Sequence, residues 1–151
     1  HLTHLTAETR MPQVRELLRI HREAGVEGPP VCGDVEQAGY WREGVTKVLA
    51  PTDAVFLGDF NFQPDSSEYT EIVGPWSPYG ARVITHPLGF VDAWVHAGGD
   101  EENGNTANMS GTPARLDYAF VSASISDQIR SCQVDQNANG SDHQPLWLEI
   151  D

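Results

Sequence analysis

Three short stretches carry the side chains best suited to chemistry on an anionic substrate. The first is Gly58-Asp59-Phe60-Asn61, which ends the apolar run Ala54-Val55-Phe56-Leu57. Four apolar residues followed by a break read as a short buried strand. Alternation along that strand puts Asp59 and Asn61 on one side and turns Phe60 to the other. A carboxylate beside a carboxamide at a strand end suits metal and phosphate chemistry, and Gly58 suits close backbone approach. The second stretch is Arg115-Leu116-Asp117-Tyr118, which opens a strand. The third is Gly140-Ser141-Asp142-His143-Gln144-Pro145, just before the last strand. Asp142 and His143 are adjacent, so on an extended backbone they point opposite ways, and one can face a metal while the other faces a different group. A histidine poised near neutral pH needs a carboxylate to fix its tautomer and favour its protonated form. Asp117 is a candidate for that task. Taken singly, each acid also has a plainer reading as a turn residue.

The elements that must position these groups follow from periodicity. Thr9 to Ala24 reads as a helix, with Val14, Leu17, Leu18 and His21 on one face, Thr9 as cap, Pro12 in the first turn and Gly25 as the stop. Ser66 to Val73 reads as a shorter helix capped by Ser66 and stopped by Gly74-Pro75. Val31 to Ala50 is broken by Gly33, Gly39 and Gly44 and reads as irregular. Trp76 to Gly89 and Gly98 to Pro113 read as loops, the second of a kind that often borders a site. Phe90 to Val95 is a short apolar element holding Asp92. Leu116 to Val121, Ile129 to Val134 and Leu146 to Ile150 read as strands, and Asp135 to His143 as a polar loop. Strands with intervening helices make an α/β domain, a mixed β-sheet sandwich flanked by helices, because several late strands lack crossover helices.

Composition sets the outer limits. At 151 residues, the chain has the size of one domain. Its 39% hydrophobic and 21% charged content is globular. The formal net charge of -13 disfavours duplex nucleic acid as a partner, since such binding rests on Lys and Arg neutralising phosphates. A phosphate-bearing substrate then needs a cation to bridge it to the acidic protein. Cys32 and Cys132 lack metal or redox spacing. No run is long enough to span a membrane, no leader is visible, and the compartment is undecided. The triplets Asn108-Met109-Ser110 and Asn139-Gly140-Ser141 read as chance matches to a glycosylation signal.

Together the three stretches resemble the endonuclease/exonuclease/phosphatase superfamily of metal-dependent phosphoesterases, which includes deoxyribonuclease I-like nucleases. The matching segments are Gly58-Asp59-Phe60-Asn61, Arg115-Leu116-Asp117-Tyr118-Ala119-Phe120-Val121-Ser122 and Ser141-Asp142-His143-Gln144-Pro145. Thr3-His4-Leu5 is similar to the family's Thr-His-Leu element and is followed by a helix carrying Arg10 and Gln13. Asp92 sits where members often carry a buried structural acid.

The resemblance implies a deoxyribonuclease I-like fold and a role for each matched residue. Asp59 orients or deprotonates the attacking water, Asn61 donates to phosphoryl oxygens, and His143, held by Asp117, stabilises or protonates the transition state. His4 contacts the scissile phosphate or is a satisfied core residue. Asp142, with Asp59 and Asn61, holds Mg2+ or Mn2+. Arg115 pairs with an acid, and Tyr118 and Phe120 belong to the core. The family's early Asn and Glu have no match, so the chain reads as a single N-terminally incomplete domain, with an apolar sheet face left uncovered and weak or no activity alone. The implied function is hydrolysis of a phosphodiester or phosphomonoester, with a small organic phosphate or lipid head group favoured over DNA. The alternatives are a non-catalytic or binding remnant with an incomplete metal site, and an endonuclease.

Overall fold

Strand β5 (Asp117–Ser122) lies at the centre because both of its faces are apolar: Tyr118, Ala119, Phe120 and Val121 are all fully buried. It pairs antiparallel with β1 (Val55–Asp59) on one side and β2 (Phe90–Asp92) on the other. The structure is a computed structural model and describes residues 1–27 and 51–151. Cys32 and the Val31 to Ala50 segment lie outside the described residues.

On one face of this sheet, Tyr118 and Phe120 join Phe60, Phe62, Tyr69 and Phe90 in an aromatic core. Burying each such ring contributes about 1.5–3 kcal/mol. Helix α1 (Ala7–Glu27) closes that core with Val14 and Leu18, and helix α2 (Ser67–Val73) with Ile72 and Val73. On the opposite face, Ala119 and Val121 pack against Cys132 and the inward side chains Leu146, Leu148 and Ile150. These come from the antiparallel pair β6 (Ile129–Val134) and β7 (Leu146–Ile150). The result is an α/β layering with helices on one side of the central sheet and a second small sheet on the other. Every ladder among the described residues is antiparallel. Val55 and Leu57, on the β1 edge of the second face, remain 42% and 60% exposed. No described helix is long and apolar enough to cross a membrane.

Several boundaries differ from the sequence expectation. Helix α1 begins at Ala7 because the Thr6 carbonyl accepts from the Thr9 and Arg10 amides, so Thr6 takes the entry position assigned to Thr9. Pro12 then falls beyond the first turn, where the carbonyl deprived of its amide partner is that of exposed Glu8. Gly25 stays within the helix instead of ending it. His1 to Leu5 forms no strand, although the Leu2 amide donates to the Asp59 carbonyl at 2.9 Å. After β2 the chain turns directly into helix α3 (Ala93–His96), capped by the Asp92 side chain through the Trp94 amide. The segment Gly98 to Pro113 is not all loop. It contains a hairpin of β3 (Ala107–Met109) and β4 (Thr112–Ala114), turning at Ser110 and Gly111 with φ of 53° and 93°. Two consecutive positive φ values are what a two-residue hairpin turn of matching twist requires. Helix α2 fits its prediction: Ser66 Oγ accepts from the Tyr69 amide, and Gly74 leaves the helix at φ 84°. A Cβ on Gly74 would lie 1.9 Å from the Val83 carbonyl oxygen.

Two buried polar groups shape the core. Arg115, 2% exposed, pairs with Asp92, which also accepts from the Tyr69 hydroxyl at 2.8 Å. This fits the structural roles expected of Arg115 and Asp92. His21, 8% exposed, stands edge-on to Phe56, tilts against Phe90, and has no hydrogen-bond partner for Nε2 among the described residues. Burial pushes its pKa below 6.5, Arg22 and His86 push the same way, and Asp53 opposes them. The unfolded chain therefore takes up this proton more readily than the folded one. The stability that neutral His21 confers is present above pH 6.5 and falls as the pH drops through the lowered folded value. His21→Leu is expected to flatten the fall in melting temperature below pH 6.5, and an unchanged pH slope in that variant would assign the effect elsewhere.

Candidate active site

The site forms where β1 and β5 end together on the face that meets β7. Asp59 lies directly opposite Asp117 in the ladder, continuing the line of Val55 and Leu57 on one strand and Val121 and Ala119 on the other. Past Asp59 the chain is held by the Phe60 amide, which donates to the Leu116 carbonyl at 2.9 Å while the Phe60 ring enters the core. Asn61 then takes a left-handed conformation, φ 56°, which Asn tolerates through local side-chain bonding. Its amide N–H donates to Asp59 Oδ1 at 2.9 Å, and its Nδ2 donates to Asp59 Oδ2 at 3.0 Å and to the Leu2 carbonyl at 2.9 Å. Gly58 has φ 148°, yet beyond its chain neighbours no atom of the described residues would come closer than 4.0 Å to a Cβ there. The glycine answers a backbone requirement, not the close approach that its position suggests.

His143 arrives from the loop before β7. Its Nδ1 lies 2.7 Å from Asp117 Oδ2, and the two side chains are 31% and 18% exposed. Burial disfavours the imidazolium, but the hydrogen bond to Asp117 and the charges of Asp117, Asp59 and Asp142 outweigh it, so the pKa lies above 6.5. The Asp117 carboxylate can only accept, so Nδ1–H donates to it and Nε2 is left free of that bond. One ligand atom from each of Asp59, Asp117 and His143 lies within 4.8 Å of the others. A cavity of about 340 Å³ opens beside Asp117 and His143, walled by Leu57, Gly58, Pro145 and Leu146. A larger cavity of about 690 Å³ between α1 and α2 contains none of the clustered groups.

Two carboxylates directly opposite each other in a ladder repel, so the arrangement favours a positive charge between them. No Lys or Arg among the described residues pairs with either one; only imidazoles do. The oxygens of Asp59, Asp117 and the Asn61 side chain suit a hard divalent ion that keeps several waters. With Nδ1 engaged by Asp117, His143 fits the role of proton donor better than that of ligand.

The structure thus brings together Asp59, Asn61, Asp117 and His143 and leaves two expected residues aside. Asp142 is exposed and outside the cluster, and its charge helps raise the His143 pKa. His4 is exposed, and none of the described hydrogen bonds or ion pairs involves it. The imidazole near the site is instead that of His1, whose Nε2 lies 3.3 Å from Asp59 Oδ2 and 3.4 Å from Asn61 Nδ2. The signal was present, since His-Leu occurs at both 1–2 and 4–5, but only the second follows a threonine.

No curated protein matches the sequence. The sequence model of the Endonuclease/Exonuclease/phosphatase family matches residues 19–143, from within α1 to the histidine of the dyad. That span contains Asp59, Asn61, Asp117, Asp142 and His143, and excludes His1 and His4. The match identifies a hydrolase of the phosphoesterase and nuclease type, a class that typically depends on a divalent metal. With most of its length matched and its clustered acids and histidine inside the match, the chain belongs to the endonuclease/exonuclease/phosphatase family.

Proposed function

We propose that the protein hydrolyses a phosphodiester or phosphomonoester by in-line attack of water, with Mg2+ or Mn2+ held by Asp59 and Asn61 and with Asp117 or Asp142 completing the acidic rim. The observation that carries this reading is the convergence of the Asp117–His143 pair and the Asp59–Asn61 pair on one cluster. His143, protonated and oriented by Asp117, donates from Nε2 to an oxygen of the phosphoryl group or of the leaving group. Asp59, fixed through both carboxylate oxygens by Asn61, aligns the attacking water and takes its proton as the new P–O bond forms and the P–O bond to the leaving group breaks. The Nδ2 protons of Asn61 are already engaged, so donation to the phosphoryl oxygens falls to His143. When bound, the divalent ion supplies charge neutralisation at the phosphoryl oxygens.

The substrate favoured is a small organic phosphate or a lipid head group. Among the described residues, no Lys or Arg lines the cavity at the site. Arg10, Arg82 and Arg115 are held in ion pairs with Glu68, Glu101 and Asp92. The described residues therefore offer a polyanionic duplex no counter-charge at the cavity.

The test is hydrolysis of bis(p-nitrophenyl) phosphate by the purified protein with Mg2+ or Mn2+. Chelation is expected to abolish turnover and added metal to restore it, whereas a rate indifferent to chelator would remove the metal from the mechanism. Efficient nicking of plasmid DNA at low salt would overturn the substrate preference.

A further inference from the structure

Asp117 and His143 come from different elements. Asp117 opens β5, and His143 lies 26 residues later in the loop before β7. One residue touches the backbone at both places. Thr106 is fully buried just before β3. Its Oγ1 accepts from the Leu116 amide at 3.1 Å and the Asp117 amide at 3.0 Å. Its carbonyl accepts from the Gln144 amide at 2.6 Å, and its own amide donates to the Ala114 carbonyl at 2.9 Å. The next residue, Ala107, forms an isolated β-bridge with His143 itself.

We infer that Thr106 is a positioning residue: its hydroxyl and carbonyl join the start of β5 to the loop before β7, and so hold the Asp117 carboxylate against the His143 ring. A hydroxyl oxygen has the two lone pairs needed for two amide donors, and a methyl in its place leaves both buried N–H groups without an acceptor. Geometry at such a site must hold to within about 0.5 Å, so slackening either backbone opens the carboxylate–imidazole contact. The consequence for rate rests on the hydrolase reading above; the consequence for the contact does not.

The test compares Thr106→Val, which keeps the shape and loses the acceptor, with Thr106→Ser, which keeps the acceptor and loses the methyl. The readout is the downfield NMR signal of the His143 Nδ1–H bonded to Asp117, identified by its disappearance in His143→Ala. The signal is expected in the native protein and in the Ser variant and absent from the Val variant. With bis(p-nitrophenyl) phosphate, kcat is expected to fall on the order of 10²-fold in Val, with KM little changed, and to recover in Ser. If Val does not fold, Thr106→Ala, which leaves room for water against the two amides, takes its place. A signal that persists in the folded Val or Ala variant, that is lost equally in Ser, or that is absent from the native protein overturns the inference. If the signal behaves as stated but turnover ignores His143→Ala, the positioning role stands and the proposed mechanism through His143 falls. If turnover needs His143 but the signal survives Thr106→Val, the reverse holds.

Discussion

His143→Ala lowers kcat for a chromogenic phosphodiester by about 10²–10⁴-fold, the usual worth of a positioned acid, while the melting temperature barely moves. The second half of this expectation follows from placement. The His143 side chain is 31% exposed at the rim and belongs to neither apolar cluster. The backbone contacts of this residue, its amide to Ser141 Oγ and the bridge to Ala107, do not depend on the ring. Loss of rate without loss of fold therefore isolates the chemistry of the imidazole. Asp117→Asn is expected to follow the same direction, because an amide cannot favour the imidazolium as a carboxylate does. Turnover within about twofold of native in His143→Ala would place the chemistry elsewhere.

The largest effect on stability is expected at Asp92. Asp92→Ala removes both carboxylate oxygens that accept from Arg115 Nη2, and Arg115 is only 2% exposed. The Tyr69 hydroxyl loses its acceptor and the Trp94 amide its cap in the same step. What remains around the guanidinium among the described residues is the Glu101 carbonyl at 3.2 Å, the face of Tyr118 at 4.7 Å and that of Trp94 at 6.0 Å. Breaking a buried pair from one side costs about 3–5 kcal/mol, because the surviving charge is left uncompensated. Urea denaturation measures the loss, and adding Arg115→Met to Asp92→Ala is expected to recover part of it. A double variant no more stable than the single one would show that the charge is not the source of the cost.

Much of this was legible in the sequence because local signals and tertiary demands agree. The Ala54 to Leu57 run, the Ser66 cap and the apolar run Tyr118 to Val121 each specify an element that the fold then uses. Asp59, Asn61, Asp117 and His143 were legible because each stands at an element end beside residues that fix its direction. What escaped depends on contacts distant in the chain. Thr106 sits in a stretch of Asn and Gly whose composition says loop, and its burial comes from β5 and the Gln144 backbone. The hairpin around Ser110-Gly111 has strands of three residues each, too short to show alternation. The choice between His1 and His4 turns on which of two His-Leu pairs lies along Asp59, and periodicity is silent on that.

The face-to-face register of Asp59 and Asp117 has a mechanical corollary. Side chains on neighbouring positions of β5 enter opposite layers, so a slip of one residue would carry the Asp117 carboxylate into the aromatic layer and bring the Tyr118 phenol out to the rim. No intermediate displacement of that strand keeps both layers filled. The acidic rim is thus either correctly in place or gone, and the packing of Tyr118 and Phe120 acts as the latch that decides which.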